Sequence, residues 1–569
     1  MAQAERRLAG ARIGALDALR GIAATSVVFY HYAFRFDGLY AYDSKLPVLF
    51  SRGDLGVDLF FIISGYLIYM TIERAKRRLD FPVSRFSRLY PAYWFCLALT
   101  LGAMSWAALP GRSPGGLAQV LANLTMFNGF FKIPYVDGVY WTLRVELAFY
   151  LMIYILSLLG QVGKIRRWLV LWLLGQAVYY LGMLDGLPGG PFAAQMLVLP
   201  FAALFAAGVC FYRIHHGDRG WPTLVLLGSC VVARCLHAPL ADLPLVVGIF
   251  ALFALLVVDR LRWLAWPPLL FLGAISYPLY LLHQNLGYIV IRRALFAGWP
   301  MPLAMGSAVM LVILAAWWVH RLVEMPGQKW FRALYRGWQD DGRLSLSAAF
   351  SAAVSLIRPH RRALIAVTLL LGVAAVFVVH LPAAPAVASQ AARVRLIGDS
   401  VALGYADPLQ RRLAPTAALS HAGLVARDTA WGLARLELLL GADRPDLVVA
   451  NFGLWDIRRR GRTPLAQYQA NLEQLILRLK SRAAQVVWVT TTPVSKTQRL
   501  RDPADVARYN AVARQLMGRL GVPVIDLHSV IAAQPERFLA SDGVHLNGDG
   551  ARRATALIAA QVGRYLPAR

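Results

Sequence analysis

The sequence predicts a multi-spanning α-helical membrane domain followed by a soluble three-layer α/β domain with a parallel sheet. Hydrophobic residues make up 58% of the 569 residues and charged residues 16%, which favours lipid as the solvent for much of the chain. Short basic runs separate the apolar segments of the first part. From Arg393 onward, short apolar runs alternate with amphipathic stretches, which is typical of strands alternating with helices.

The apolar segments of the predicted membrane domain (1–340) are long enough to cross a bilayer. A hydrocarbon core of about 30 Å needs roughly 20 apolar residues per helix, and we expect roughly ten spans in this domain. Their predicted starts lie near residues 13, 54, 89, 139, 167, 194, 221, 244, 269 and 303. Residues 341–392 are expected to form a cytoplasmic loop, an eleventh membrane helix at 363–380 and a short Pro/Ala linker.

The distribution of lysine and arginine predicts the orientation in the membrane. With the amino terminus in the cytoplasm, the basic loops at 73–88, 161–168, 213–220, 259–268 and 324–362 all fall inside. The basic run at 291–293, near an outer helix end, is a mild exception. The pattern predicts a multi-pass membrane protein whose amino terminus lies in the cytoplasm and whose soluble domain (393–569) lies outside it.

The charge and the cysteines exclude other classes of protein. The formal net charge is +28, but the basic residues lie between apolar segments and form no stripe between aromatic residues, so nucleic acid is not the expected partner. The four cysteines lie in apolar stretches without a CxxC pair. We therefore expect neither a disulfide framework nor a metal site.

Two motifs at opposite ends of the soluble domain predict a serine nucleophile. "VRLIGDSVALGYADPL" (394–409) places Ser400 between a strand and a helix, where the helix amino terminus favours developing negative charge. "SDGVHLNGDG" (541–550) holds Asp542 and His545 three residues apart. A serine needs a base to take its proton, and the base needs an orienting carboxylate. The alternative for the second motif is a polar turn before a helix.

Together with "HAGLVARDTAWGLARLELLLGADRPDLVVANFGLWDI" (421–457), these motifs resemble the SGNH hydrolase family over roughly 393–569. The resemblance implies Ser400 as nucleophile, His545 as base and Asp542 as its orienting carboxylate.

The same resemblance implies Gly423 and Gly453 as oxyanion-hole residues, although Ala426 or Arg427 are alternatives to Gly423 for the glycine of the family's second block. A further departure from the family concerns its third block, which usually reads Gly-x-Asn-Asp, with the asparagine amide donating to the oxyanion. This chain reads Gly453-Leu454-Trp455-Asp456. The Trp455 indole cannot replace that amide donor in the same way.

Ionisable residues inside the first apolar segment call for a separate explanation. In "LDALRGIAATSVVFYHY" (16–32), Arg20 and His31 are eleven residues apart, about three turns, so they share one helix face. Intramembrane ionisable groups usually face a bundle interior or a cavity. Alternatively, Arg20 forms a structural pair with Asp17 and His31 is a capped histidine near the interface.

Further polar motifs follow in the same domain. We expect a helix break at the Ser-Gly-Tyr of "GVDLFFIISGYLI" (56–68), and one shared helix face for Ser276, Tyr280 and His283 in "GAISYPLYLLHQ" (273–284). The other motifs are "RFSRLYPAYW" (85–94) with Arg85 and Arg88, "VYWTLRVELAFY" (139–150) with Glu146, and "RLVEMPGQKW" (321–330).

In this order and spacing, the motifs resemble the membrane-bound acyltransferase family 3 over roughly 13–330. That family moves an acyl group, usually acetyl, from cytoplasmic acetyl-CoA to extracytoplasmic carbohydrate. The resemblance implies that three arginines bind acetyl-CoA and that a histidine and a glutamate are catalytic, with His283 as a further candidate. These residues are Arg20, Arg85, Arg88, His31 and Glu146. From the predicted topology we expect the arginines in the inner half and His31, paired with Glu146, toward the outer face.

The two resemblances together imply an O-acetyltransferase that acts on an envelope polysaccharide such as O-antigen lipopolysaccharide or peptidoglycan. Acetyl would pass through the membrane domain, form an ester on Ser400 and reach a polysaccharide hydroxyl. Two alternatives stay open at this point: a membrane-anchored carbohydrate esterase, and a transporter or flippase with an appended domain.

Overall fold

The structure is a computed structural model of the chain. The residues it describes are 2–36, 48–107, 109, 112, 116–184, 187–341, 351, 354–355, 365, 368–369, 371–372, 391–414, 416–421, 426–440, 444–459, 461–496, 498, 500–540 and 542–566. Most of the predicted Pro/Ala linker and most of the predicted eleventh helix lie outside these residues.

The first part of the chain is helical. In chain order its helices are α1 (Ala2–Phe29), α2 (Gly56–Glu73), α3 (Asp80–Trp106), α4 (Leu117–Leu124), α5 (Trp141–Leu158), α6 (Ile165–Tyr180), α7 (Gly190–Met196), α8 (Ala202–His215), α9 (Trp221–Cys235), α10 (Leu243–Val257), α11 (Pro267–Phe296), α12 (Met301–Val319) and α13 (Met325–Asp341). A π-helical turn, Tyr30–Arg35, continues α1, and another, His320–Glu324, joins α12 to α13.

Several of these helices are apolar enough to cross a membrane. Among the described residues, four helical stretches have the required length and composition: Phe50–Glu73, Gly138–Leu158, Leu240–Val257 and Met301–Gln339. A fifth results if Gly190–Met196 and Leu199–His215, which meet at 47°, form one span. The helical domain with several apolar helices is therefore confirmed, while the number of roughly ten spans stays a prediction.

Helices α1 and α11 pack side by side and run in the same direction. Asp17 lies against Gly273, and further along both helices Tyr32 lies against Gly287. A Cβ atom on Gly273 would stand 2.0 Å from the carbonyl oxygen of Asp17, so only glycine permits this approach. The parallel direction is the one that the predicted topology requires of a first and a ninth span.

The predicted helix break at Ser-Gly-Tyr is wrong. Helix α2 runs without interruption through these residues. A Cβ atom on Gly65 would lie 2.2 Å from the carbonyl oxygen of Phe205 in α8. The glycine therefore serves close helix packing, which is a common use of small residues between membrane helices.

The second part of the chain is an α/β domain with its own hydrophobic core. Its five strands are β1 (Ala392–Ile397), β2 (Ala417–His421), β3 (Leu447–Ala450), β4 (Gln485–Val489) and β5 (Val524–Ile525). Its helices are α14 (Ser400–Gly404), α15 (Ala406–Leu413), α16 (Thr429–Ala434), α17 (Leu436–Leu440), α18 (Leu465–Arg482), α19 (Pro503–Leu520), α20 (Leu527–Ala532), α21 (Pro535–Phe538) and α22 (Gly548–Val562).

The strands pair in the order β2-β1-β3-β4-β5, and each pair is parallel. This confirms the predicted α/β domain with a parallel sheet. Strand β2 was not predicted, because its residues are small and alternate in burial at the sheet edge. Strand β1 pairs with both β2 and β3, so the strand order reverses there, and ligands of such sheets bind beyond the carboxyl ends of strands at this point.

We expect Gly273→Ala to destabilise the membrane domain, because its new methyl group would push α1 away from α11. Overpacking of this kind costs about 1–3 kcal/mol. The matched control is Gly306→Ala in α12, where no heavy atom lies within 4 Å of the position of an added Cβ. Thermal unfolding in detergent should show a lower midpoint for Gly273→Ala and no loss for Gly306→Ala. Equal midpoints for the two variants would contradict the described packing.

Candidate active sites

Ser400 lies at the start of α14, directly beyond the carboxyl end of β1. The preceding residue, Asp399, caps this helix: its Oδ1 accepts hydrogen bonds from the backbone N–H groups of Val401 at 2.9 Å and Ala402 at 3.2 Å. Burial raises the pKa of the Asp399 carboxyl against the opposing effect of these bonds. The cap fixes the first turn of the helix and with it the position of the serine.

The structure brings Ser400, His545 and Asp542 together. The Nε2 atom of His545 is 2.8 Å from the Ser400 Oγ, and its Nδ1 is 2.5 Å from the Asp542 Oδ2. Because the carboxylate can only accept, Nδ1 carries the proton and Nε2 accepts from the serine hydroxyl. This is the arrangement of nucleophile, base and orienting carboxylate in a serine triad.

Asp542 is held in its ionised form. Burial alone raises its pKa, but hydrogen bonds from the His545 imidazole and from the backbone N–H groups of Val544 and His545 outweigh that effect. The net result is a pKa well below the usual range of an aspartate. The carboxylate can therefore stabilise the imidazolium that forms when His545 takes the serine proton.

The predicted oxyanion residues are only partly described. Gly453 has φ +135°, and a Cβ atom there would lie 2.6 Å from the Thr491 Oγ1, so the position requires glycine. Gly423 lies outside the described residues. The Nε1 atom of Trp455 is buried and has no hydrogen-bond partner within the described part of the chain. The oxyanion roles of the two glycines stay predictions.

Arg501 is a feature of this site that the sequence did not reveal. It is buried, and its Nε donates to the carbonyl oxygen of Leu454 at 2.7 Å. Burial lowers the pKa of Arg501, and this effect outweighs the neighbouring carboxylates of Asp399 and Asp542, which raise it. Its surrounding segment, 498–505, is rich in charge like many exposed loops, so no pattern distinguished it.

A second polar site lies inside the helical domain. A cavity of about 310 Å³ is lined by Arg20, Arg85, Arg88 and Glu146, four of the residues that the sequence nominated. Arg332 lines it as well, and sequence reasoning missed it because it follows the last apolar segment. Arg20 also lies 3.4 Å from Asp17, so the structural pair and the cavity position coexist.

The predicted pairing of Glu146 with His31 is wrong. Glu146 lies in the cavity with the arginines, where its Oε2 accepts a hydrogen bond from the Tyr150 hydroxyl at 3.0 Å. His31 instead contacts His283, with 3.1 Å between its Nδ1 and the His283 Nε2. Opposite charge explains the outcome, since a buried carboxylate is less costly beside arginines than beside neutral imidazoles.

The hydrogen bonds of the two histidines define their tautomers. The Nδ1 of His283 donates to the carbonyl oxygen of Tyr280 at 2.8 Å, so its Nε2 is the accepting nitrogen. The Nδ1 of His31 lies 2.9 Å from the carbonyl oxygen of Val27, and therefore carries its proton. Nε2 of His31 is left as the basic nitrogen. His31 lies in the π-helical turn Tyr30–Arg35, a feature that often marks functional sites.

One face of α11 connects the cavity to the histidine pair, as the spacing of its motif predicts. Ser276 and Tyr280 line the cavity, and His283 contacts His31. The Tyr280 hydroxyl accepts a hydrogen bond from the Thr142 Oγ1 at 3.0 Å. Polar side chains therefore continue along α11 from the cavity toward His31.

Glu324 gives a role to the motif "RLVEMPGQKW" (321–330). It is fully buried, with its Oε1 3.6 Å from Arg88 and its Oε2 2.7 Å from the Nδ1 of His320. The acid thus orients an arginine of the cavity. In the sequence, Glu324 is a lone carboxylate at the end of an apolar segment, a pattern that does not by itself indicate a role.

We expect Ser400 to react with a fluorophosphonate probe and Asp542→Asn to slow this reaction at least about 100-fold, because the histidine then loses its orienting acceptor. Ser529→Ala, at an exposed serine whose Oγ donates to Asp526, is the matched control. Because the pKa of Asp542 is lowered, this carboxylate stays ionised as pH falls. The labelling rate should therefore show no change due to protonation of Asp542 above about pH 4. Undiminished labelling of the Ser400→Ala protein would contradict the assignment.

Comparison with known proteins gives two family matches. Residues 13–321 match the acyltransferase 3 domain, and residues 396–553 match the GDSL-like lipase/acylhydrolase family. The exopolysaccharide production protein ExoZ of Rhizobium meliloti (strain 1021) is 29% identical over 312 residues, which cover 49% of this chain and 90% of ExoZ. Nodulation protein 10 of Rhizobium leguminosarum bv. viciae is 31% identical over 179 residues, covering 27% of this chain and 45% of that protein.

Among solved structures, a lipase/acylhydrolase from Enterococcus faecalis is similar to 31% of this chain and 98% of its own length, with 26% identity and a TM-score of 0.29. The acyltransferase match covers more than half of the present chain. The chain therefore belongs to the acyltransferase 3 family, is an acyl-transferring enzyme, and carries a GDSL-like domain at its carboxyl-terminal end.

Proposed function

We propose that the protein is an O-acetyltransferase that moves acetyl from cytoplasmic acetyl-CoA across the bacterial inner membrane to hydroxyls of an envelope polysaccharide. The observation that carries this proposal is a complete Ser400–His545–Asp542 triad in the same chain as the arginine-lined cavity of an acyltransferase. The name of the similar protein ExoZ, which refers to exopolysaccharide production, supports a polysaccharide acceptor.

The cavity suits an anionic acyl donor. Arg20, Arg85, Arg88 and Arg332 stand around it with one carboxylate, Glu146, so its fixed charge is positive. Guanidinium groups bind phosphate through charge-assisted and often bidentate hydrogen bonds. A volume of about 310 Å³ is at the lower end for small-molecule sites. We therefore assign the thioester arm of acetyl-CoA to the cavity and its phosphates to the arginines at the cytoplasmic end.

In the first half-reaction, acetyl moves from the thioester to Ser400. The C–S bond breaks, an ester C–O bond forms at the Ser400 Oγ, and coenzyme A leaves as the thiol. His545 takes the serine proton and passes it to the unprotonated Nε2 of His31, which gives it to the departing thiolate. Both histidines are then neutral again before the second half-reaction.

In the second half-reaction, acetyl moves from Ser400 to the acceptor. A polysaccharide hydroxyl attacks the ester while His545 takes its proton. The bond to the Ser400 Oγ breaks, and the serine regains its proton from His545. The net reaction converts acetyl-CoA and a hydroxyl into an acetyl ester and free coenzyme A, with no other reactant.

We expect Ser400→Ala to abolish acetylation of the polysaccharide, because the acyl group then has no carrier outside the membrane. The measurement is mass spectrometry of envelope polysaccharides from cells that lack the gene and carry the wild-type protein, Ser400→Ala or the control Ser529→Ala. Full acetylation by Ser400→Ala would contradict the relay. Increased acetylation would instead support a carbohydrate esterase. Acetylation that is unchanged when the whole gene is removed would favour a transporter.

We also expect loss of Arg88 to weaken the use of acetyl-CoA. Arg88→Gln removes one charge-assisted contact, worth about 1.5–3 kcal/mol, so the KM for acetyl-CoA should rise roughly 10- to 100-fold. Arg166→Gln, an exposed position in α6 that does not line the cavity, is the matched control. Acetyl transfer in membrane vesicles, followed with radiolabelled acetyl-CoA, measures both variants. An unchanged KM for Arg88→Gln would contradict this donor site.

A further inference from the structure

A buried ion pair joins the helical domain to the GDSL-like domain. Arg292, near the end of α11, meets Asp407 at the start of α15 through two hydrogen bonds, Nε to Oδ2 at 2.6 Å and Nη2 to Oδ1 at 2.7 Å. The side chains are 14% and 1% exposed, respectively. Such bidentate geometry is the strong form of an arginine–carboxylate pair.

Aromatic contacts surround the ion pair on the side of the helical domain. The Arg292 guanidinium carbon is 4.9 Å from the centre of the Phe296 ring, and that of Arg411, from the GDSL-like domain, is 5.9 Å from the same ring. The next residue, Arg293, stacks on Trp106 at 4.1 Å. Both arginines of the run at 291–293 therefore have partners, which explains why this end of α11 departs from the positive-inside pattern.

The ion pair lies close, along the chain, to the groups of both sites. On α11, Arg292 follows His283 by nine residues, about 14 Å along a helix. In the GDSL-like domain, Asp407 follows Ser400 by seven residues. The contact thus links the helix that carries His283 to the segment that carries the nucleophile.

We propose that the Arg292–Asp407 pair is a docking contact that holds Ser400 at the end of α11 for acyl transfer within one chain. The proposal rests on the function proposed above and adds the surface by which the two domains act together. Docking within one chain raises the effective concentration of the serine at the exit of the membrane domain. The two residues are positioning residues and take no part in the bond changes.

The test uses the full-length protein with Asp407→Asn, Arg292→Asp, Asp407→Arg and the charge-swapped double variant of the last two. Loss of one partner of a buried, hydrogen-bonded charge pair weakens docking strongly, so polysaccharide acetylation should fall about tenfold or more in each single variant. The charge-swapped variant should recover most of it. Hydrolysis of p-nitrophenyl acetate by Ser400 should stay unchanged in Asp407→Asn, because the triad does not include this residue.

A direct measurement of docking accompanies the assays. With p-benzoyl-phenylalanine in place of Phe296, irradiation should crosslink α11 to the peptide that contains Arg411. The yield should fall several-fold with Asp407→Asn and recover in the charge-swapped background.

The inference is overturned if the single variants keep full acetylation while Ser400→Ala loses it, a result that leaves the proposed function intact. It is also overturned if Asp407→Asn loses ester hydrolysis together with acetylation, since the residue then only stabilises its own domain. Failure of the charge swap to restore either acetylation or the crosslink overturns it as well. If Ser400→Ala itself keeps acetylation, the proposed function fails first.

Discussion

The close, parallel packing of α1 against α11 is the constraint on which the account of the helical domain depends. Gly273 allows the two backbones to touch, and from this contact the polar groups of both helices fall into register. Arg20 reaches the cavity at one level, and His31 meets His283 at another. Ionisable groups are costly in a bilayer unless they face one another or a cavity. By packing their polar faces together, the two helices form a site for ionisable groups that would be too costly to bury on either helix alone. The same helix α11 ends at the residue that contacts the GDSL-like domain.

The two sites divide the chemistry by environment. The cavity holds fixed cations in the helical domain, where three of its four guanidinium groups contact a carboxylate or a hydroxyl group that limits the cost of burial, as Arg88 does with Glu324. The triad lies in a partly solvated loop region, where Asp542 is kept ionised by hydrogen bonds from one turn of chain. The proposed binding of an anionic donor and the proposed activation of a hydroxyl nucleophile therefore take place in two environments of different polarity.

Much of this organisation could be predicted from the sequence. The α/β domain followed from its alternating pattern, and Ser400, His545 and Asp542 followed from two short motifs whose spacing the fold leaves little freedom to vary. Contacts between distant segments were harder. No local pattern in the sequence indicates that Glu146 faces the arginines and not His31, because either contact is compatible with the helical periodicity around Glu146. The role of Gly65 was also predicted wrongly as part of a helix break. Its actual role depends on Phe205, which is far away in sequence. Strand β2 escaped prediction because an edge strand of small residues carries little apolar signal.

In the proposed relay, the acyl group passes through Ser400 on its way out of the membrane domain. The most direct measurement is peptide mass spectrometry of the purified full-length protein in proteoliposomes, supplied with isotopically labelled acetyl-CoA on the side of the arginine cavity and without any acceptor. We expect a labelled acetyl ester on Ser400, which should disappear when a polysaccharide acceptor is added on the opposite side. Labelled polysaccharide formed by the Ser400→Ala protein, with no acetyl ester on any residue of the GDSL-like domain, would contradict it.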